Sequence, residues 1–201
     1  MDSFSFFSCS SSFFVFIHTN YNLKLVLGTP WYGYHYPCLE GTTITDRYCP
    51  IQSVPFRGVN CSDAAGNELD YAQIRNLYYN ITQSESDSGD GKNKSHSSGS
   101  SGSSSVSMVK RDVNMNAPWF NERKSSKLSS NDVSKDVFEN EKIMISQYWY
   151  DDSISLRYKY SWSKKYGLGG VGPYCLNMLA ALKNEEEKIE MWSTLDEFAV
   201  V

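Results

Sequence analysis

Between Gln83 and Ser107 the chain is almost wholly Ser, Gly, Asp, Asn and Lys. Such a tract cannot bury enough apolar surface to offset the entropy lost on ordering, so it reads as a disordered, solvated linker at 83–107. Its Asp87 and Asp90 lack the spacing and the closing Glu of an EF-hand loop. Any fold must therefore be assembled from the flanking stretches, Tyr21 to about Thr82 and Met108 to Val201. The first part of the second stretch is polar up to Asn140, with one aromatic island at Pro118-Trp119-Phe120.

Those stretches carry α/β signals. Leu23 to Gly28 is a near-continuous apolar run closed by Thr29-Pro30, the pattern of a parallel strand covered on both faces. Asp152-Ser153 precedes a helical stretch from Ile154 to Tyr166, in which Ile154, Tyr158 and Trp162 recur every four residues and predict one buried stripe. Lys164 and Lys165 suit the negative end of its macrodipole, and Gly167 supplies the left-handed stop with Leu168 packing back. Gly169-Gly170-Val171-Gly172 reads as a short strand approached closely by backbone or ligand. A final helix opens at Asn184, with Glu187 completing a capping box and Ile189, Trp192 and Leu195 facing inward. The order is strand, long insertion, helix, strand, helix.

Charge and cysteine usage narrow the class. The net charge is −4 and the basic residues are scattered, so no footprint for nucleic acid exists. None of Cys9, Cys38, Cys49, Cys61 and Cys175 forms a C-x-x-C pair, which indicates neither a zinc site nor a redox pair, and no metal or cofactor is expected. The cluster Cys38, Cys49 and Cys61 reads as an oxidising-compartment pattern, and acceptor triplets at Asn60, Asn80 and Asn93 agree with a secreted or lysosomal route. Phe4 to Ile17 is apolar but Ser-rich and lacks the basic start of a signal peptide; it is also too broken to span a membrane. Residues 1–20 are taken as a weak signal-like stretch or, preferably, a scar of an incomplete gene structure, outside the fold.

In a parallel α/β arrangement, side chains that act on ligands stand past the C-terminal strand ends. Two segments meet this condition, Pro30 to Tyr36 and Pro173-Tyr174-Cys175. Aromatic residues make up 14% of the chain, and many sit beside Gly, Pro or Asp rather than inside apolar runs, which fits stacking on sugar rings as well as ordinary core packing. His35 has no partnered carboxylate or nucleophile at recognisable spacing and reads as a solvated loop residue. Asp151 and Asp152 read as caps of the next helix. No nucleophile elbow, phosphate loop or HExxH is present.

The strings Gly28-Thr29-Pro30-Trp31-Tyr32-Gly33-Tyr34-His35-Tyr36, Val54-Pro55-Phe56-Arg57-Gly58 and Cys61-Ser62-Asp63-Ala64-Ala65-Gly66 closely resemble the chitobiase branch of the family 18 glycoside hydrolases. The resemblance resumes at Ala117-Pro118-Trp119-Phe120-Asn121 and continues through Trp149-Tyr150-Asp151-Asp152-Ser153 and Gly167-Leu168-Gly169-Gly170-Val171-Gly172. It covers about 22–82 and 114–197. It implies the C-terminal part of a (β/α)₈ TIM barrel, strands seven and eight with their helices, carrying a long irregular insertion. The 201 residues fall short of the roughly 250 a whole barrel needs.

The resemblance further implies hydrolysis of the β-1,4 bond in the N,N′-diacetylchitobiose core of asparagine-linked glycans. The sugar's own acetamido oxygen attacks, and one Glu protonates the leaving oxygen. That Glu ends a D-x-x-D-x-D-x-E motif, which this sequence does not contain, so no catalytic residue is assigned and the chain is expected to be inactive alone. Trp31, Tyr32, Tyr34 and Tyr174 are the expected contacts to an N-acetylglucosamine-containing oligosaccharide. Where the family has Met-Trp after strand eight, this chain has Pro173-Tyr174. Either Tyr174 replaces that Trp, or a deletion aligns Cys175-Leu176 with the family's Cys-Leu and the sugar floor is lost. Cys38, Cys49, Cys61 and Cys175 are the disulfide candidates. The alternative function is a non-catalytic, secreted chitooligosaccharide-binding protein.

Overall fold

A computed structural model describes residues 13–19, 22–56, 64–87, 104–127 and 141–199. Strand β1 (Phe13–Thr19) lies antiparallel to β2 (Asn22–Pro30), with Phe13 opposite Gly28 and Thr19 opposite Asn22. The expectation that residues 1–20 stand outside the fold is thus corrected for Phe13–Thr19, which supplies a neighbour to one edge of β2. Past Trp31 the chain enters a second sheet through β3 (Tyr32–Pro37), β4 (Asn67–Asp70) and helix α1 (Tyr71–Asp87). β5 (Ser104–Val106), β6 (Lys110–Arg111), β7 (Pro118–Lys127) and β8 (Glu141–Trp149) complete that sheet. Helix α2 (Ser153–Lys165), strand β9 (Gly170–Tyr174), helix α3 (Glu185–Ser193) and the short α4 (Asp196–Ala199) follow.

Two parts of the expected linker are regular structure, residues 83–87 and 104–106. Its ends are taken up by the last turn of α1 and by β5, which pairs with β7 through Val106 opposite Glu122. Among the described residues the strands form two sheets, one ordered β1-β2-β9 and the other β4-β3-β8-β7-β5 with β6 also on β7. Pairing between β2 and β9 is parallel, as the apolar run and the Gly-rich strand suggest, with Val26 opposite Gly170 and Pro30 opposite Tyr174. Covering of β2 is graded rather than complete: Leu25 is exposed, whereas Leu27 and Thr29 are buried.

Alternation along β3, β7 and β8 gives the second sheet two unlike faces. Gly33, Phe120, Tyr148 and Tyr150 pack towards α1, where Phe120 stacks on Tyr148 at 4.7 Å and meets Tyr78 edge-on at 5.0 Å. A Cβ on Gly33 would come within 2.4 Å of the Trp149 carbonyl and 2.6 Å of Ile74, so only glycine lets α1 seat this closely. The opposite face carries Tyr34, Tyr36, Trp149 and Trp119.

Both helices after β8 start as their sequence signals predict. The Asp152 carboxylate accepts from the Ser155 amide at 3.0 Å while the Ser155 hydroxyl accepts from the Asp152 amide at 2.9 Å. Gly167 ends the helix at φ +69°, and its amide donates to the Lys164 carbonyl at 3.0 Å. The buried stripe, however, is not the predicted one. Ile154, Tyr158 and Trp162 are 56%, 59% and 43% exposed, while Leu156 and Tyr160 are fully buried. Apolar residues recur on two faces of this helix, and periodicity cannot choose between them. The choice is made by the 2.6 Å hydrogen bond between the Tyr160 and Thr29 hydroxyls and by the Lys159–Asp151 ion pair at 2.6 Å.

In α3, Asn184 caps the Glu187 amide at 3.1 Å, as expected. The reciprocal half of the capping box is replaced, because the Glu187 carboxylate is drawn to α1. Met191 is the buried residue of α3; Ile189 is exposed, Leu195 packs on the core, and Trp192 meets Trp31 edge-on at 4.8 Å.

Candidate functional site

The C-terminal ends of β2 and β9 lie side by side, and the residues just past them form one aromatic group. Tyr174, 49% exposed, ends β9. Its ring meets that of Tyr32 edge-on at 6.3 Å, and Tyr32 meets Tyr34 at 6.0 Å. Cys175 then takes φ +64°, turning the chain sharply out of the strand and leaving Tyr174 at its tip. Three of the four expected ligand contacts are therefore brought together.

Trp31 is not one of them. It is 0% exposed, sealed among Trp192, Tyr160 and the rest of the core, and it forms the junction between the two sheets. Its amide donates to the Tyr174 carbonyl at 3.4 Å and its carbonyl accepts from Tyr71 at 3.2 Å. Trp31 thus holds the strand ends together rather than offering a face to a ligand. The pattern in the sequence could not separate it from Tyr32, since adjacent residues on an extended chain point to opposite sides.

Burial, chiefly, and the nearby Tyr34, Glu68, Tyr174 and Cys175 push the Tyr32 phenol up to about 12. It stays neutral throughout the physiological range and keeps a proton to donate. Glu68 lies on β4 directly opposite Tyr34, and Asp70 opposite Tyr32, so carboxylates border the tyrosines. The segment after β2, expected as a loop, is strand β3. His35 is accordingly no solvated loop residue: its ring lies 4.9 Å from that of Tyr148 on the α1 side of the sheet. Burial first, and the Lys124 ammonium second, lower its pKa and favour the neutral imidazole.

Cys38 and Cys49 form a disulfide, with Cα atoms 5.4 Å apart. The loop they close is pinned from the far face of the sheet. Arg47 pairs with Asp112, and Gln147 and Asn121 donate to the carbonyls of Arg47 and Asp46 at 3.0 and 2.7 Å. Backbone amides of Met115 and Asn114 together with Arg47 hold the Asp112 carboxyl down to about 2. Cys175 forms no disulfide with a described residue. Cys61, Asn60 and Asn93 lie outside the described residues. Asn80 is on α1, exposed, and accepts from the Lys183 ammonium at 3.3 Å.

A polar cluster joining α1 to α3 had no sequence signal beyond Glu187 as a cap. The Glu187 carboxylate accepts from the Tyr71 hydroxyl at 2.5 Å, from Arg75 Nε at 2.6 Å and from the Tyr79 hydroxyl at 2.6 Å. Arg75 also donates to the Tyr150 hydroxyl at 3.1 Å. A cavity of about 420 Å³ opens beside the cluster. Tyr71, Arg75 and Tyr79 recur at four-residue spacing on one helical face, a pattern that points to a shared partner only once α3 is in place. Among the described residues no group of three or more His, Cys, Asp or Glu is placed to hold a metal ion, and no helix is long and apolar enough to cross a membrane.

The chain is mixed α/β, with aromatic residues gathered at the C-terminal ends of a parallel strand pair, and over most of its length it is similar in sequence to curated di-N-acetylchitobiases. It is 31% identical over 175 residues to di-N-acetylchitobiase of Rattus norvegicus, covering 86% of this chain and 36% of that protein. It is 30% identical over 175 residues to the Homo sapiens protein of that name, and 30% identical over 178 residues to probable di-N-acetylchitobiase 2 of Dictyostelium discoideum. The chain spans about a third of the length of these curated relatives, 34% of the human and 37% of the Dictyostelium protein. No family model matches. Among solved structures, a Group IV chitinase of Ostrinia furnacalis aligns over 87% of this chain and 35% of that chain, at 13% identity and a TM-score of 0.47. Human YKL-39, described as a pseudo-chitinase with retained chitooligosaccharide binding, aligns over 88% of this chain and 35% of that chain, at 14% identity and a TM-score of 0.45.

Proposed function

We propose that this chain is a segment of a di-N-acetylchitobiase-like glycoside hydrolase, a glycan-contacting part that does not hydrolyse its ligand alone. The observation that carries the reading is the Tyr174–Tyr32–Tyr34 group at the C-terminal ends of the parallel pair β2 and β9, where α/β barrels hold their ligands. In this reading β2 and β9 correspond to strands seven and eight of a (β/α)₈ barrel, and the antiparallel sheet with α1 is the insertion between them. The exposed Ile154, Tyr158 and Trp162 suit a helix that packs against a further barrel helix. The ligand is an oligosaccharide containing N-acetylglucosamine, and the Cys38–Cys49 disulfide supports a lysosomal or extracellular setting. The proposed lack of hydrolysis is supported by the sequence, in which no D-x-x-D-x-D-x-E motif stands to supply a proton donor.

Calorimetric titration of the chain with di-N-acetylchitobiose, alongside an assay for its cleavage, tests both halves. Binding heat that disappears in Tyr174→Ala, with no cleavage product, is the expected result. Absence of heat at any concentration would remove the glycan reading, and cleavage would remove the claim of inactivity. The non-catalytic secreted binding protein differs from this reading in its cellular role, and it is favoured if the chain binds as a soluble monomer with no partner segment.

A further inference from the structure

Helices α2 and α3 lie side by side and run in the same direction. The Ser153 hydroxyl donates to Glu190 at 2.6 Å, and about one turn further along both helices Arg157 donates to the Ser193 hydroxyl at 2.7 Å. Each helix turns an apolar stripe away from the core. On α2 the stripe is Ile154, Tyr158 and Trp162, continued by Tyr166, whose ring lies 4.4 Å from that of Trp162. On α3 it is Ile189 with the exposed part of Trp192. Taking roughly 200 Å² for a whole aromatic side chain, the exposed fractions of these four rings leave about 400 Å² of aromatic surface open. That is about half of the roughly 800 Å² each partner buries in a standard interface.

The charges beside the two stripes are opposite in sign. α2 carries Arg157, Lys159, Lys164 and Lys165 and no acid. α3 carries four acids and one lysine, and α4 two more acids. Within the chain Lys159 is taken up by Asp151, Glu187 by Arg75 and Glu185 by Lys188. Lys164 and Lys165 on α2, and Glu186 on α3 with Asp196 on α4, are exposed and form no ion pair among the described residues.

We infer that this face joins two copies of the chain about a two-fold axis, α2 of each lying on α3 and α4 of the other. A two-fold axis running between the paired helices, along their length, brings the basic stripe of each copy onto the acidic stripe of the other. Both contacts then form at once and the assembly closes as a dimer. Apolar rings fill the middle of the contact, and the unpaired lysines and carboxylates form its rim. An anionic membrane or a nucleic acid would suit α2 alone, and the acids of α3 and α4 repel it. The inference goes beyond the glycan reading and does not depend on it. Where that reading gives α2 a further barrel helix as its neighbour, the second copy supplies the helix when the chain stands alone.

The test is sedimentation equilibrium of the full chain and of two charge-reversed forms. The unmodified chain should dimerise with a dissociation constant on the order of 10 μM, as suits a patch of this size. Added salt should weaken the dimer, because its rim is ionic. Reversal of α2, Lys164→Glu with Lys165→Glu, should weaken it about tenfold or more, and so should Glu186→Lys with Asp196→Lys. Mixing the two reversed forms should restore the dimer as a heterodimer, since each basic face again meets an acidic one. All four positions are exposed, so circular dichroism of each form should match that of the unmodified chain. Ile189→Ser, which alters no charge, should also weaken the dimer. A monomer at every concentration overturns the inference and leaves the stripe to a further helix of a longer chain. Species that grow beyond the dimer with concentration overturn the two-fold closure. Reversed forms that dimerise as well as the unmodified chain, or whose mixture fails to pair, overturn the placing of α2 on α3 and α4.

Discussion

The antiparallel sheet and the β1-β2-β9 sheet meet at Trp31, yet the described residues cover their apolar surfaces very differently. In the antiparallel sheet one face is filled by α1, with Phe120, Tyr148, Tyr150 and Ile74 buried together. Its other face is held under the disulfide-closed loop through Arg47, Asp112, Asn121 and Gln147. Around the parallel pair, by contrast, Leu25 on β2, Ile154, Tyr158 and Trp162 on α2 and Tyr166 at its C-cap remain exposed. An antiparallel sheet can be completed by hairpins and one helix, whereas a parallel pair needs helices on both faces and neighbours at its edges. The contrast shows which part of the molecule can stabilise itself and which part invites further packing.

The largest expected effect tests the self-contained region. Phe120→Ala should destabilise the chain by about 3–5 kcal/mol, because it opens a cavity between Tyr148 and Tyr78. A shift in the urea midpoint measures it, and a loss below 1 kcal/mol would mean that the antiparallel core is not the stable region.

Next in size is the link between the regions. Glu187→Gln leaves the Arg75 guanidinium without its carboxylate and should cost about 2–3 kcal/mol. If α1 and α3 unfold as one unit, near-ultraviolet circular dichroism and far-ultraviolet circular dichroism will report the same midpoint shift.

Smaller again is Asp112→Asn, at about 1 kcal/mol near neutral pH. Folded Asp112 titrates at about 2, below the usual carboxylate range, so its contribution is present above pH 4 and is lost as pH falls through 2. Denaturation midpoints of the unmodified chain should therefore fall over that window, and those of the variant should fall less steeply.

The smallest change belongs to the uncovered region. Trp162→Ser should alter stability by about 0.5 kcal/mol or less, since the side chain is exposed on α2. Analytical ultracentrifugation should show less self-association in this variant, and a large loss of stability would mean that the stripe is covered after all.

Local signals in the sequence located much of this architecture. Leu23 to Gly28 and the Gly-rich run before Pro173 were legible as strands because continuous apolar or small residues suit a parallel pair. Asp152, Asn184 and Gly167 marked helix ends, since caps are satisfied within one turn. The strand-end tyrosines were legible for the same reason: position past a strand end is a local property.

What the sequence alone determined is where β2, β9, α2 and α3 run and that Tyr32, Tyr34 and Tyr174 gather at the C-terminal ends of the parallel strands. Tertiary structure decided which faces are buried. It placed Leu156 and Tyr160 inward instead of Ile154 and Tyr158, withdrew Trp31 into the core, and drew Glu187 from its own cap to Arg75. Each of those outcomes depends on a partner more than 35 residues away in the chain, such as Thr29 for Tyr160 at a separation of 131 and Arg75 for Glu187 at 112. Periodicity and capping record only the nearest turn of chain, and a choice between two apolar faces is made by contacts they cannot register.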